Sequence, residues 1–199
     1  MKRLPAVYAV LICIFSVPEA FAGEGGTPPE PATPKCGVAP YFDCRAPKGW
    51  WPHHDPDYSA KISKTFGVNI VGPKAPGGGL VSIDAVYYAP GNGTHSTPKA
   101  FIKAVGMLDG DIHLPGEKAT PPSPAVYKGL AATRFTRSTF DFVRVSDTSE
   151  KQVAVEEEYL VVPARKGFYV LEFRAPPEVF KENRQAYEAF LRSFTMLVK

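Results

Sequence analysis

The sequence predicts an α+β fold: an α/β/α sandwich in which a central antiparallel sheet of about six strands carries helices on both faces. Three observations predict it. The elements run in the order β-β-β-α-β-β-β-α, and the later strands are joined by tight connections. In the last strand Tyr169, Leu171 and Phe173 point one way while Phe168 and Val170 point the other, ahead of charged Glu172 and Arg174. A sheet open to water on one side alternates cleanly, so this strand calls for helical cover on both faces with polar ends. Finally, two segments space their apolar residues at helical intervals, which supplies the cover.

The chain opens with the pattern of a secretory signal. Lys2 and Arg3 give a basic start, residues 6–17 form an apolar run, and Ala20-Phe21-Ala22 offers a small-x-small cleavage site before Gly23. The run falls short of the roughly 20 residues that cross a bilayer core. Cleavage is expected after Ala22, leaving a secreted or periplasmic protein without a membrane span. Lipidation at Cys13 is disfavoured by Ile12, because a lipobox cysteine follows a small residue. Residues 23–35, rich in Gly, Pro, Thr and Glu, read as a disordered leader. Residues 36–199 are then long enough for one folded domain.

Strands follow at 41–46, 66–71 and 80–88, stopped by Pro47, by Gly72-Pro73 and by Pro90-Gly91. The second and third can pair as a hairpin with a long loop. Thr97 is a helix N-cap and Pro98 suits the first helical position. Phe101, Ala104, Val105 and Leu108 share a helical face that Gly106 or Gly110 ends. Residues 109–124, with their prolines and glycines, read as a surface loop. Strands at 131–145, 152–162 and 167–174 come next, connected through 146–149 and 163–167. A helix over 177–194 closes the chain, with Glu178 in its first turn and Phe180, Tyr187, Phe190, Leu191 and Phe194 as its apolar stripe.

Composition narrows the function. The formal net charge is +3, close to balanced, and no basic patch argues for nucleic acid. Once Cys13 leaves with the signal, Cys36 and Cys44 remain, eight positions apart, and an oxidising compartment would join them as a disulfide. The other reading is two reduced thiols. Neither a G-x-S-x-G elbow nor an H-E-x-x-H helix is present. Gly91-Asn-Gly-Thr-His-Ser96 lacks the third glycine of a dinucleotide loop, and Asn92-Gly-Thr94 fits a glycosylation sequon. Glu156-Glu157-Glu158 reads as a solvated strand edge or end.

The sharpest local cluster is Trp50-Trp51-Pro52-His53-His54-Asp55-Pro56-Asp57-Tyr58. His53, His54, Asp55 and Asp57 could offer nitrogen and oxygen ligands to a divalent metal. Adjacent side chains diverge in an extended segment, so both imidazoles would reach one ion only in a bent loop. Trp50, Trp51 and Tyr58, with Tyr87 and Tyr88, could form an aromatic binding platform; core packing is the competing role.

Tyr41-Phe-Asp-Cys-Arg-Ala-Pro-Lys-Gly-Trp50 is similar to the opening strand of the PsbP-like superfamily, which runs into a P-x-G-W corner. Gly167-Phe-Tyr-Val-Leu-Glu-Phe173 and Phe190-Leu-Arg-Ser-Phe194 resemble that family's closing strand and helix end. The resemblance covers roughly residues 36–199 and implies the α/β/α fold. It also implies an accessory rather than catalytic role. PsbP proteins are extrinsic subunits of photosystem II that help retain its metal and chloride ions; other members bind partner proteins or serve the envelope. The cysteine pair and the histidine-rich stretch are not general traits of the family. The expectation is therefore a secreted, non-catalytic binding domain that contacts a protein or envelope partner and needs no cofactor. The alternatives are a metal-retaining module built on 53–57 and an enzyme of unrecognised type.

Overall fold

The computed structural model describes residues 33–54, 57–107, 116–146 and 149–198. The expected signal, its cleavage site and most of the leader lie outside them, as does Asp55. The described residues belong to one compact unit, Ala32–Lys199.

Two short elements open the fold: β1 (Phe42–Asp43) and β2 (Trp51–His54). Then come α1 (Asp57–Ser63), β3 (Thr65–Val71), β4 (Ser82–Tyr88) and α2 (Pro98–Phe101), which runs into a π-helical turn, Ile102–Gly106. The second half contains β5 (Lys118–Ala119), β6 (Ser123–Tyr127), β7 (Leu130–Ser146), β8 (Ser149–Pro163), β9 (Phe168–Ala175), α3 (Pro177–Ser193) and β10 (Thr195–Met196). The main sheet has the order β2-β3-β4-β9-β8-β7-β5, with β6 also paired to β7, and each of these pairings is antiparallel. It is an α/β/α sandwich, with eight strands in the main sheet where about six were expected.

The register sorts side chains between the two faces. On one face Ile70, Ile83, Leu160, Leu171 and Phe173 meet Tyr187 and Phe190 of α3, and Phe194 just beyond it, all buried. Tyr187 stacks on Phe173 with centroids 5.5 Å apart, and its hydroxyl donates to the Leu171 carbonyl. Burying each such side chain stabilises by about 1.5–3 kcal/mol. On the opposite face Phe101, Ile102 and Val105 cover Phe135, Tyr159, Val161, Phe168 and Val170. Thr97 caps α2 as expected, its side chain accepting from the Ala100 N–H. The helix is only four residues long before it widens. The π turn brings the Gly106 backbone so close to the Phe135 ring that a Cβ there would sit 3.0 Å from it.

Several expectations need correction. The stretch 41–46 contributes only the two residues of β1, because it is bent into a small hairpin closed by the Cys36–Cys44 disulfide and the Cys36 N–H to Cys44 carbonyl bond. Its strand pairs with β10, not with the main sheet. The stretch 109–124, expected as a surface loop, holds β5 and the first two residues of β6, where Pro124 is tolerated because β6 has a single partner strand. The 50–58 cluster is not one loop; it supplies β2 and the start of α1. Glu157 and Glu158 are buried, not solvated, since β8 is flanked by β9 and β7. Arginines meet them: Arg184 Nε donates to Glu158 Oε2 at 2.8 Å, and Arg137 lies 3.5 Å from Glu157.

Candidate functional site: a polar row and cavity on the second face

A straight row of side chains crosses the face that α2 packs against, its Tyr159 and Phe135 end lying under Phe101. Cross-strand neighbours run His53, Asn69, Asp84, Glu172, Tyr159 and Phe135, from the β2 edge to β7. The adjacent row runs Trp51, Val71, Ser82, Arg174, Glu157 and Arg137. Period-2 geometry places both rows on one surface.

The polar groups are knitted together. Asn69 Nδ2 donates to Asp84 Oδ1 at 2.8 Å, and the Ser82 hydroxyl reaches Asp84 Oδ2 at 3.4 Å. The Tyr159 hydroxyl donates to Glu157 Oε2 at 2.9 Å. Arg174 Nη2 donates to Asp141 at 2.7 Å, and Arg137 lies 3.2 Å from Glu117. Burial raises the carboxyls of Asp84 and Glu157 above their ordinary range, against the opposing pull of Asn69 on the first and Arg137 on the second. Glu172, placed between these two acids, is pushed up to about 8, by burial first and then by the charges of Asp84 and Glu157. At neutral pH the row therefore carries a protonated acid beside ionisable ones. Tyr88 is raised to about 12, chiefly by burial.

Over the β2 end of this row lies a cavity of about 430 Å³, lined by His53, Asn69 and Asp84, by Thr65 and Thr94, and by the side chains of Val86 and Tyr88. The Tyr88 ring stacks on Phe168 with 4.7 Å between centroids and 5° between planes, so that wall is fixed. The loop above it is held by Asn92, whose Oδ1 accepts from the Thr94 and His95 N–H groups while Nδ2 donates to the carbonyls of Ala89 and His95. This buried amide is spent on the turn, which explains the 91–96 sequence without a nucleotide or a glycan.

The residues singled out from the sequence are divided by the fold. His53 lines the cavity over Asp84, whereas His54 lines a second cavity of about 240 Å³ with Val38, Ala60 and Phe66. Extended β2 sends the two imidazoles to opposite faces, so they do not converge. Asp57 begins α1. Among the described residues no group of three or more His, Cys, Asp or Glu is placed to hold a metal ion. The tryptophans part in the same way: Trp50 is core, its ring lying on Gly72, while Trp51 is 73% exposed at the edge of the sheet. Tyr87 is core and donates to the Lys166 carbonyl. Sequence reasoning missed Asn69 and Asp84 as site residues. The available signal was a polar side chain inside an otherwise apolar strand, as in Ser82-Ile-Asp-Ala-Val86. Among the described residues, no helix is long and apolar enough to cross a membrane.

No family model matches the chain, and no curated protein matches it. Among solved structures it is similar to LpqN, described as involved in cell envelope biogenesis of Mycobacterium tuberculosis, at 18% identity over 79% of this chain and 85% of that one, with a TM-score of 0.46. It is also similar to cyanobacterial PsbP (CyanoP) from Synechocystis sp. PCC 6803, at 12% identity over 88% of this chain and 98% of that one, with a TM-score of 0.45. These are likenesses of overall structure at low identity and high coverage, and membership of a family does not follow from them.

Proposed function

We propose that this chain is an exported, non-catalytic binding module that presents the cavity at the β2 end of its second sheet face to a protein or envelope partner. The observation that carries the reading is the 430 Å³ cavity at the β2 edge, lined by His53, Asn69 and Asp84 and walled by Tyr88. A concave site with a few fixed polar groups and a rigid aromatic wall is what recognition requires. Exposed Trp51, two residues before His53 on the same strand, adds a large, stiff apolar surface to the same face. Export rests on the signal-like start of the sequence and predicts a mature N-terminus at Gly23, which intact-mass measurement of the protein recovered from cell envelopes would read.

The test of binding is capture from envelope extracts with wild-type protein and with a Trp51→Ala/Asn69→Ala variant. A partner retained by the wild type and lost by the variant is expected. Equal capture by both, or none by the wild type, overturns the reading. The metal-retaining alternative draws no support from β2, where His53 and His54 face different cavities.

A further inference from the structure

We infer that the cavity over Asp84 recognises an alkylammonium group, such as the end of a lysine side chain. The inference rests on the binding reading above and names the chemistry of the ligand. Asp84 supplies the carboxylate in the lining, near His53, and among the described residues no Lys or Arg lines the cavity. Its Oδ1 is occupied by the Asn69 amide at 2.8 Å, while its Oδ2 has only the 3.4 Å approach of the Ser82 hydroxyl. A carboxylate offers about four acceptor positions, so Oδ2 retains capacity toward the cavity. Arg174, opposite Ser82, acts on Asp84 through its charge, but its guanidinium donates to Asp141 at 2.7 Å and lies 3.8 Å from Glu157. Beside Asp84 on β9 stands Glu172, protonated at neutral pH, so Asp84 is the acid that offers charge to the cavity.

The walls suit the rest of such a ligand. Val86 and the Tyr88 ring give apolar contact for a methylene chain, and the ring face attracts an ammonium. Thr65 and Thr94 offer hydroxyl oxygens to N–H donors not taken by Asp84. Burial raises the Asp84 carboxyl, and an incoming positive charge opposes that rise by favouring the ionised form.

The test uses purified protein with cadaverine and its neutral isostere 1,5-pentanediol, and a lysine-bearing peptide with its Nε-acetylated counterpart. Binding is followed by calorimetry and by the NMR shift of the Asn69 side-chain amide. Each cationic member is expected to bind at least tenfold more tightly than its neutral partner and to shift the Asn69 signal. Cadaverine binding as well as the peptide means that the ammonium on a short chain suffices; preference for the peptide assigns the site to a lysine within a protein. Asp84→Asn should weaken binding at least tenfold while keeping the melting temperature of the wild type or exceeding it. Thr94→Lys, on the exposed loop, should block the site by supplying an ammonium of its own. Equal binding of charged and neutral members, unchanged binding by Asp84→Asn or Thr94→Lys, or no binding of either cation overturns the inference. None of these outcomes decides the capture experiment, which tests the face and not the charge of what it holds.

Discussion

Glu172 shows what a single side chain contributes here. Its carboxyl stands at about 8 in the fold against an ordinary value of 4.5, so the folded state holds a proton that the unfolded chain gives up. The stabilisation is complete below the unfolded value and is lost as pH rises through the folded one. Unfolding free energy should therefore fall between pH 5 and pH 9, Glu172 accounting for on the order of 4 kcal/mol. Glu172→Gln should flatten that decline and be the more stable protein at pH 9, as urea melts at pH 5, 7 and 9 would show. Gly167 is a second sensitive position. Its φ is +79°, and a Cβ would fall 2.1 Å from the Tyr88 carbonyl oxygen. Gly167→Ala should cost about 3 kcal/mol or more, read as a lowered urea midpoint. The same residues show why the site was only half legible. The adjacent histidines and aspartates advertised themselves by composition, yet strand parity separates the imidazoles. Asp84 and Glu172 are far apart in sequence, and only the β4–β9 register makes them neighbours.

Among the elements, α3 is held at both ends and along its length. Pro177 and Glu178 start it. Its C-terminal carbonyls are taken by a two-residue hairpin between β6 and β7, where Lys128 (φ 48°) and Gly129 (φ 80°) make the turn. Tyr127 donates to the Leu191 carbonyl at 2.6 Å, and Lys128 Nζ to those of Arg192 and Phe194 at 3.1 and 2.6 Å. Midway, Arg184 ties the helix to Glu158 on β8. Tyr127→Phe should lower stability by about 1 kcal/mol, measured by thermal melting, with helix content retained. The sequence foretold β3, β4, β7, β8, β9 and α3 to within a few residues, because each repeats its period for several turns or alternations. It foretold none of β2, α1, β5, β6 and β10. These are short, and their strand or helix state is set by a neighbour: β2 by pairing to β3, β6 by pairing to β7. The glutamate run of β8 was misread for the same reason, since its arginine partners come from β7, β9 and α3.

At the scale of the whole molecule, the two faces are packed by different elements. Among the described residues, one meets α3 and the disulfide-closed hairpin of residues 36–44, the other the short α2 and its π turn. Reducing the disulfide releases a loop of eight residues and should lower stability by about 2–3 kcal/mol on the chain-entropy model. Denaturant melts with and without reductant would measure it, and the hairpin's clasp to β10 should loosen before the main sheet melts. That clasp has a consequence for folding. Phe42 lies opposite Met196, so β1 pairs with a strand far along the sequence. Until that contact closes the hairpin has no mate, and the central β9 must likewise reach back to β4. Closures between such distant segments are slow, so β1 and β10 should lock together only in the last stage of folding.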